Sequence, residues 1–192
     1  MTPGPRRRRT AAATLLLPVL LGACASGDDA TDGPLVPAAA PDGWVAHGMG
    51  PVGLHAPGEW EALDVAPGDD SSEAYALRAP GEGAGTGVHT SVTDERRRDA
   101  AAAVANLRSV GDASVGARDV EEAAVTWPGA RAAGWLGYEA TVTVGGEQVD
   151  VRYEYLVLDL GDDTQAIVAV VAPADEFDGS GAHDVLASVT VG

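Results

Sequence analysis

Two long strand-like runs separated by a Gly-Gly pair constrain the fold of this chain more than any other feature. Ala133 to Val144 and Gln148 to Leu160 meet through Gly145-Gly146. Glycine accepts the positive φ angles of a tight hairpin turn, so the two runs fold back on each other as antiparallel neighbours. Side chains along a strand alternate between the two faces of a sheet. In the second run Val149, Val151, Tyr153, Tyr155 and Val157 therefore share one face. Asp150, Arg152 and Glu154 occupy the other, which turns apolar at Leu156, Leu158 and Leu160. Such a strand is covered on both faces only at one end. The next run, Ala166-Ile167-Val168-Ala169-Val170-Val171, is apolar without alternation and reads as a central strand buried on both faces. Ile167, Val168, Val170, Val157 and Leu158 are the expected deep core.

The remaining elements follow from turn residues and a change of period. Val52–His55, Trp60–Val65, Glu73–Arg78 and Val88–Thr93 read as short strands, divided by Pro-Gly and Gly-rich turns. Ala100, Val104 and Leu107 then fall on one face of a helix, with Arg97, Arg98 and Arg108 in water. Asp94 or Asp99 caps its start and Gly111 its end. Val120–Trp127 is a further strand, and a short helix around Ala182–Leu186 precedes a final Ser188–Val191. A long antiparallel sheet with one middle and one late helix is an α+β architecture with helices packed on the faces of the sheet.

The N-terminus is a processing signal. Arg6–Arg9 form a basic region and Ala11–Leu21 an apolar one, the pattern of a secretory signal peptide over residues 1–23. Its 11 apolar residues are too few to span a bilayer core, which takes about 20. It ends Leu20-Leu21-Gly22-Ala23-Cys24, which looks like a bacterial lipobox. Cys24, the single Cys of the chain, is the expected lipidation site and mature N-terminus. Arg pairs also suit twin-arginine export, although Thr10-Ala11-Ala12 lacks the usual Phe-Leu. Residues 24–43, rich in Gly, Pro, Ala and Asp, read as a flexible tether, and 44–192 as one globular domain. The expected location is the extracytoplasmic face of the cell membrane.

Charge narrows the partners. All 12 basic residues are Arg, and against 29 Asp and Glu they leave a net charge of −17. Losing the four arginines of the leader takes the mature chain to −21. A phosphate backbone demands a basic face, so nucleic acid is excluded as a partner. Anionic headgroups repel such a body, which leaves membrane attachment to the lipid, and two or more acyl chains suffice for that.

A search for chemistry finds little. His47, His55, His89 and His183 stand outside metal-ligand spacing, and the glycines at 81, 83, 85 and 87 lack the Lys of a phosphate loop. The acidic stretches Asp69–Glu73, Gly161–Thr164 and Asp175–Asp178 invite calcium but do not follow the spacing of a twelve-residue calcium loop. Trp44, Trp60, Trp127 and Trp135 are read as packing residues, with an aromatic-lined cleft as the functional alternative. No metal, cofactor or catalytic residue is assigned. One nucleophilic set can be written from spacing: His89 and Ser91 share a strand face, and Asp94 follows.

Three segments carry a resemblance. Gly53-Leu54-His55-Ala56-Pro57-Gly58-Glu59-Trp60 looks like the opening strand and Pro-x-x-Trp turn of the LpqN/PsbP-like family of actinobacterial lipoproteins. Trp127-Pro128-Gly129-Ala130-Arg131-Ala132 resembles the turn before its central hairpin, and Glu176-Phe177 with His183–Val189 resembles its C-terminal helix. The resemblance covers about 50–192 and implies a three-layer α-β-α sandwich that works as a binding or assembly module. Members resemble the photosystem II extrinsic subunit PsbP and a small nuclear-import factor that binds a GTPase. These segments are turns and core positions, so no residue of chemistry carries over. The expected function is a non-enzymatic, membrane-anchored binding module for a partner protein or a lipid or glycan ligand of the envelope. The alternative is a surface-anchored serine hydrolase.

Overall fold

A computed structural model describes residues 33–192 apart from 70, 82–84 and 97. The leader, Cys24 and the first part of the tether lie outside the described residues. Among the described residues ten strands and two helices follow in order. They are β1 (Val45–Met49), β2 (Val52–Ala56), β3 (Glu61–Leu63), β4 (Glu73–Arg78) and β5 (Gly87–Thr93). Then come α1 (Ala100–Val115), β6 (Arg118–Val125), β7 (Ala132–Val144), β8 (Glu147–Gly161) and β9 (Thr164–Pro173). A 3-10 turn at Phe177–Gly179, α2 (Ala182–Ala187) and β10 (Thr190–Val191) close the chain.

The strands pair antiparallel throughout. Seven form one sheet in the order β3-β4-β5-β9-β8-β7-β6, and three form a second in the order β1-β2-β10. The expected hairpin is β7–β8, in register from Ala132↔Asp159 to Val144↔Glu147. Gly145 and Gly146 take φ of 61° and 91°, the left-handed conformations of its two-residue turn. The expectation of one sheet is therefore corrected. The first two expected strands divide between sheets, because β2 pairs with β1 and β10 while β3 pairs with β4.

Alternation along β8 separates two cores. Leu156 and Leu158, fully buried, pack with Leu54, Trp135, Val168 and Val170 and with Val185 and Leu186 of α2. Val151 and Val157 point to the opposite face and pack with Leu136, Tyr138 and Ala140 and with Ala100, Ala103 and Val104 of α1. Ser188 ties the small sheet to α2: its hydroxyl accepts from His55 N at 2.9 Å and donates to Val185 O at 2.8 Å.

The helix α1 starts where its cap predicts and ends later than its first glycine. The Asp99 carboxylate accepts from Ala102 N at 2.8 Å, and Gly116, at φ 64°, closes the other end. Gly111, expected as the C-cap, lies inside the helix. Its role is close approach: a Cβ there would stand 3.1 Å from Cζ of Tyr138. Gly134 on β7 does the same beneath the helix, since a Cβ there would stand 2.8 Å from Cγ2 of Val104. Gly134→Val is expected to lift α1 and cost about 1–3 kcal/mol, read by denaturant unfolding. A loss below about half a kcal/mol would mean that the helix is not seated on this glycine.

Within the expected tether, the chain is already held at Leu35. That side chain is 2 % exposed in the core with Leu156 and Trp127, and Ala38 N donates to Ala187 O at 2.9 Å. The stretch from Leu35 to residue 43 therefore belongs with the domain. An isolated leucine between prolines shows no period, so its burial was not readable from pattern.

Candidate functional site

The helix α1 packs over β6, β7 and β8 and covers the β5–β9 part of the same sheet face only in part. A cleft of about 380 Å³ opens there, between α1 and the residues Asp69, Ser71 and Ser72. Across its floor Ser91 and Ile167 stand opposite one another on β5 and β9. Leu107 and Ala103 of α1 form the apolar wall. Ile167 was expected in the deep core; it is half-buried instead, with Ala166 and Val168 fully buried on the other face. The correction has a plain cause: β9 is central in the sheet, but α1 covers it only in part.

The polar rim is built locally. Ser72 donates twice to Val92 O, from its N at 2.8 Å and its hydroxyl at 3.0 Å, which pins the turn after β3 against β5. Gln165 is 6 % exposed, and its Nε2 donates to Arg98 O at 3.0 Å. That bond fixes which end of the amide is the donor and leaves Oε1 as an acceptor. Asp69, Asp94, Glu95 and Arg98 stand exposed around the opening. Arg96 is held away from it, paired with the buried Asp159 and reaching Asp163 at 3.8 Å.

The spacing-derived set is partly brought together. Ser91 and Asp94 line this cleft. His89 lies two residues along the same strand face, exposed, and burial of part of its ring holds its pKa below the ordinary value. Among the described residues no hydrogen bond joins His89 to Ser91, or either to Asp94. A nucleophile–base pair needs such a contact, so no triad is assembled in this conformation.

The other candidate residues scatter. His47 Nδ1 meets Tyr75 Oη at 2.9 Å between the two sheets. Trp60, Trp127 and Trp135 are buried, and Trp127 Nε1 donates to Val189 O at 3.1 Å; they pack the core, and none lines this cleft. Among the described residues no three of His, Cys, Asp or Glu are grouped to hold a metal ion. The Gly161–Thr164 stretch is a tight turn with Asp162 and Asp163 at φ of 48° and 60°. Those angles suit Asn-Gly better than Asp-Asp. Asp163→Gly is expected to raise stability by about 1 kcal/mol; an unchanged or lower melting temperature would contradict it.

One charged cluster escaped sequence reasoning. Glu154, 2 % exposed, accepts from Arg152 Nε and Nη2 at 3.1 and 3.0 Å and meets His183 Nδ1 at 2.7 Å. Arg152 in turn lies over the Phe177 ring at 5.4 Å. Arg152 and Glu154 were placed on one strand face; nothing in the pattern ties His183, 29 residues on, to them. The hydrogen bond to Glu154 holds the His183 pKa above its ordinary value, against the opposing effect of burial. A raised folded pKa adds stability that is complete below the unfolded value of about 6.5 and lost as pH rises through the folded value. His183→Asn is expected to flatten that part of the stability–pH profile; an unchanged slope above neutral pH would contradict the pairing.

Comparison with known proteins bears on the fold alone. No protein-family model matches the chain, and no curated protein matches it. Among solved structures the fold is similar to that of LpqN of Mycobacterium tuberculosis, a protein described as involved in cell envelope biogenesis. The two superpose with a TM-score of 0.50 at 16% identity, over 77% of this chain and 88% of that one. The chain has an LpqN-like, sheet-rich α+β fold, as the three sequence segments implied.

Proposed function

We infer that this protein is an extracytoplasmic lipoprotein, anchored through Cys24, whose folded part is a non-enzymatic binding module of the cell envelope. The observation that carries the binding role is the cleft beside α1. It is open, apolar at Ile167 and Leu107, and rimmed by hydroxyls, amides and carboxylates. Binding sites combine apolar area with a few polar groups in this way. The lipobox supports the anchor, and the LpqN-like fold supports an envelope role. In finer terms the fold is read as a three-layer sandwich, with α1 over one face and α2 with the small sheet over the other. The ligand is a partner protein or an amphipathic envelope molecule, and strong net negative charge favours basic or apolar ones.

The hydrolase reading keeps one supporting observation, the presence of Ser91 and Asp94 in the same cleft. Full-length protein is expected to turn over no ester or peptide substrate. Hydrolysis by the wild type that disappears in Ser91→Ala or His89→Ala would replace binding by catalysis.

A further inference from the structure

We propose that β1 is an acid-released edge strand: neutral His47 pins it to the large sheet, and protonation of His47 frees it to fray from β2.

The small sheet rests on the core mainly through β2. Val52, Leu54 and Ala56 are buried, whereas Val45, Ala46 and Gly48 of β1 are exposed. Beyond its backbone pairing with β2, β1 presents two half-buried side chains, His47 and Met49. His47 stands opposite Leu54 in that pairing and so shares its inward face. There its Nδ1 meets Tyr75 Oη of β4 at 2.9 Å, with the two rings 5.9 Å apart.

The joint suits an uncharged ring. A neutral imidazole can take the Tyr75 hydroxyl proton at Nδ1, whereas a charged one carries N–H at both nitrogens and accepts nothing. The His47 Nε2 is buried and has no hydrogen-bond partner among the described residues. The void that His47 lines, of about 10 Å³, has room for about one water, too little to hydrate a cation. Its surroundings do not make up the loss. From β2 the titratable neighbour is His55, which repels a charged His47. From β4 they are Tyr75, which stays neutral, and Glu73, whose exposed carboxylate lies beside Gly50 in the turn after β1. From β5 the Thr90 hydroxyl lines the same void and bonds to nothing there. Burial first, and His55 second, hold the His47 pKa below its ordinary value. A folded pKa below the unfolded value of about 6.5 gives stability that is complete above that value and lost as pH falls through the folded one. His183 acts with the opposite sign on α2, so the readout has to be local.

Hydrogen exchange of the full-length protein, corrected for the intrinsic pH dependence of exchange, reads each strand separately. Between about pH 7.5 and about pH 5 the amides of β1 are expected to lose protection at least about threefold, while those of the β7–β8 hairpin keep theirs. His47→Phe keeps a ring at the joint that cannot titrate and is expected to erase this pH dependence. His47→Gln is the second non-titrating variant if the first folds poorly. His55→Asn, which leaves the pin in place, is expected to retain the loss. Equal protection of β1 at both pH values would overturn the proposal. So would a loss that persists in the His47 variants, a loss that vanishes in His55→Asn, or one shared equally by the β7–β8 hairpin.

Discussion

Leu158→Ala is expected to cost about 2–5 kcal/mol, the range for deleting a large aliphatic side chain from a well-packed core. Leu158 is fully buried on β8, against Trp135, Val168 and the α2 side chains Val185 and Leu186. Both neighbouring strands hold it in register, Ala133 on β7 and Ala166 on β9. Those neighbours are already small and cannot swell to refill the space, so most of the cavity persists. Val170→Ala, at a position also fully buried, is expected to cost about 1–3 kcal/mol, since fewer methyls are lost. Ile167→Ala, on the same strand β9 but facing the cleft, is expected to cost less than about 1.5 kcal/mol. Urea unfolding of the three variants reads all of this. Equal losses at Ile167 and Leu158 would mean that the cleft floor is closed core.

Cys24→Ala is expected to move the protein from the membrane fraction to the soluble one. The expectation follows from charge as much as from the lipobox. With 29 acidic residues and arginine as its sole strong cation, the body has no means of holding an anionic surface. Diacylated chains bind stably where a single chain binds marginally, so losing them removes nearly all attachment. Among the described residues no helix is long and apolar enough to cross a membrane and substitute for the lipid. Mass spectrometry of the wild-type N-terminal peptide supplies the companion result, an acylated Cys24. An unacylated peptide together with membrane-bound Cys24→Ala would contradict lipid anchoring.

Much of the fold was legible because it is written in short-range chemistry. The β7–β8 hairpin follows from alternation and Gly145-Gly146, and β4 from an isolated run between turns. Of the two caps the sequence offers for the helix, Asp94 and Asp99, Asp99 is the one that starts it. The misreadings of Gly111 and Ile167 each depend on a neighbour distant in sequence, and that of β1 on exposure. The strand β1 escaped because Val45–Met49 lies at a sheet edge, with Val45 47 % exposed and no buried face to impose a period. Gly111 reads as a cap until Tyr138 is known to pack against it. Ile167 reads as core until the reach of α1 is known. The cleft is legible only in its parts. Ser91 and Asp94 were noted for spacing, whereas Gln165, Leu107 and Ile167 carry no signal that would bring them to the same opening.

The most direct test of a binding role for the cleft is photocrosslinking in intact cells from a benzoyl-phenylalanine placed at Leu107. The same probe at Val45, exposed on the small sheet, serves as the control. Binding at the cleft predicts discrete adducts from position 107, diminished by Ile167→Trp, and none of the same mass from position 45. Identical adducts from both positions, or none from position 107 while the protein is folded and membrane-bound, would contradict it.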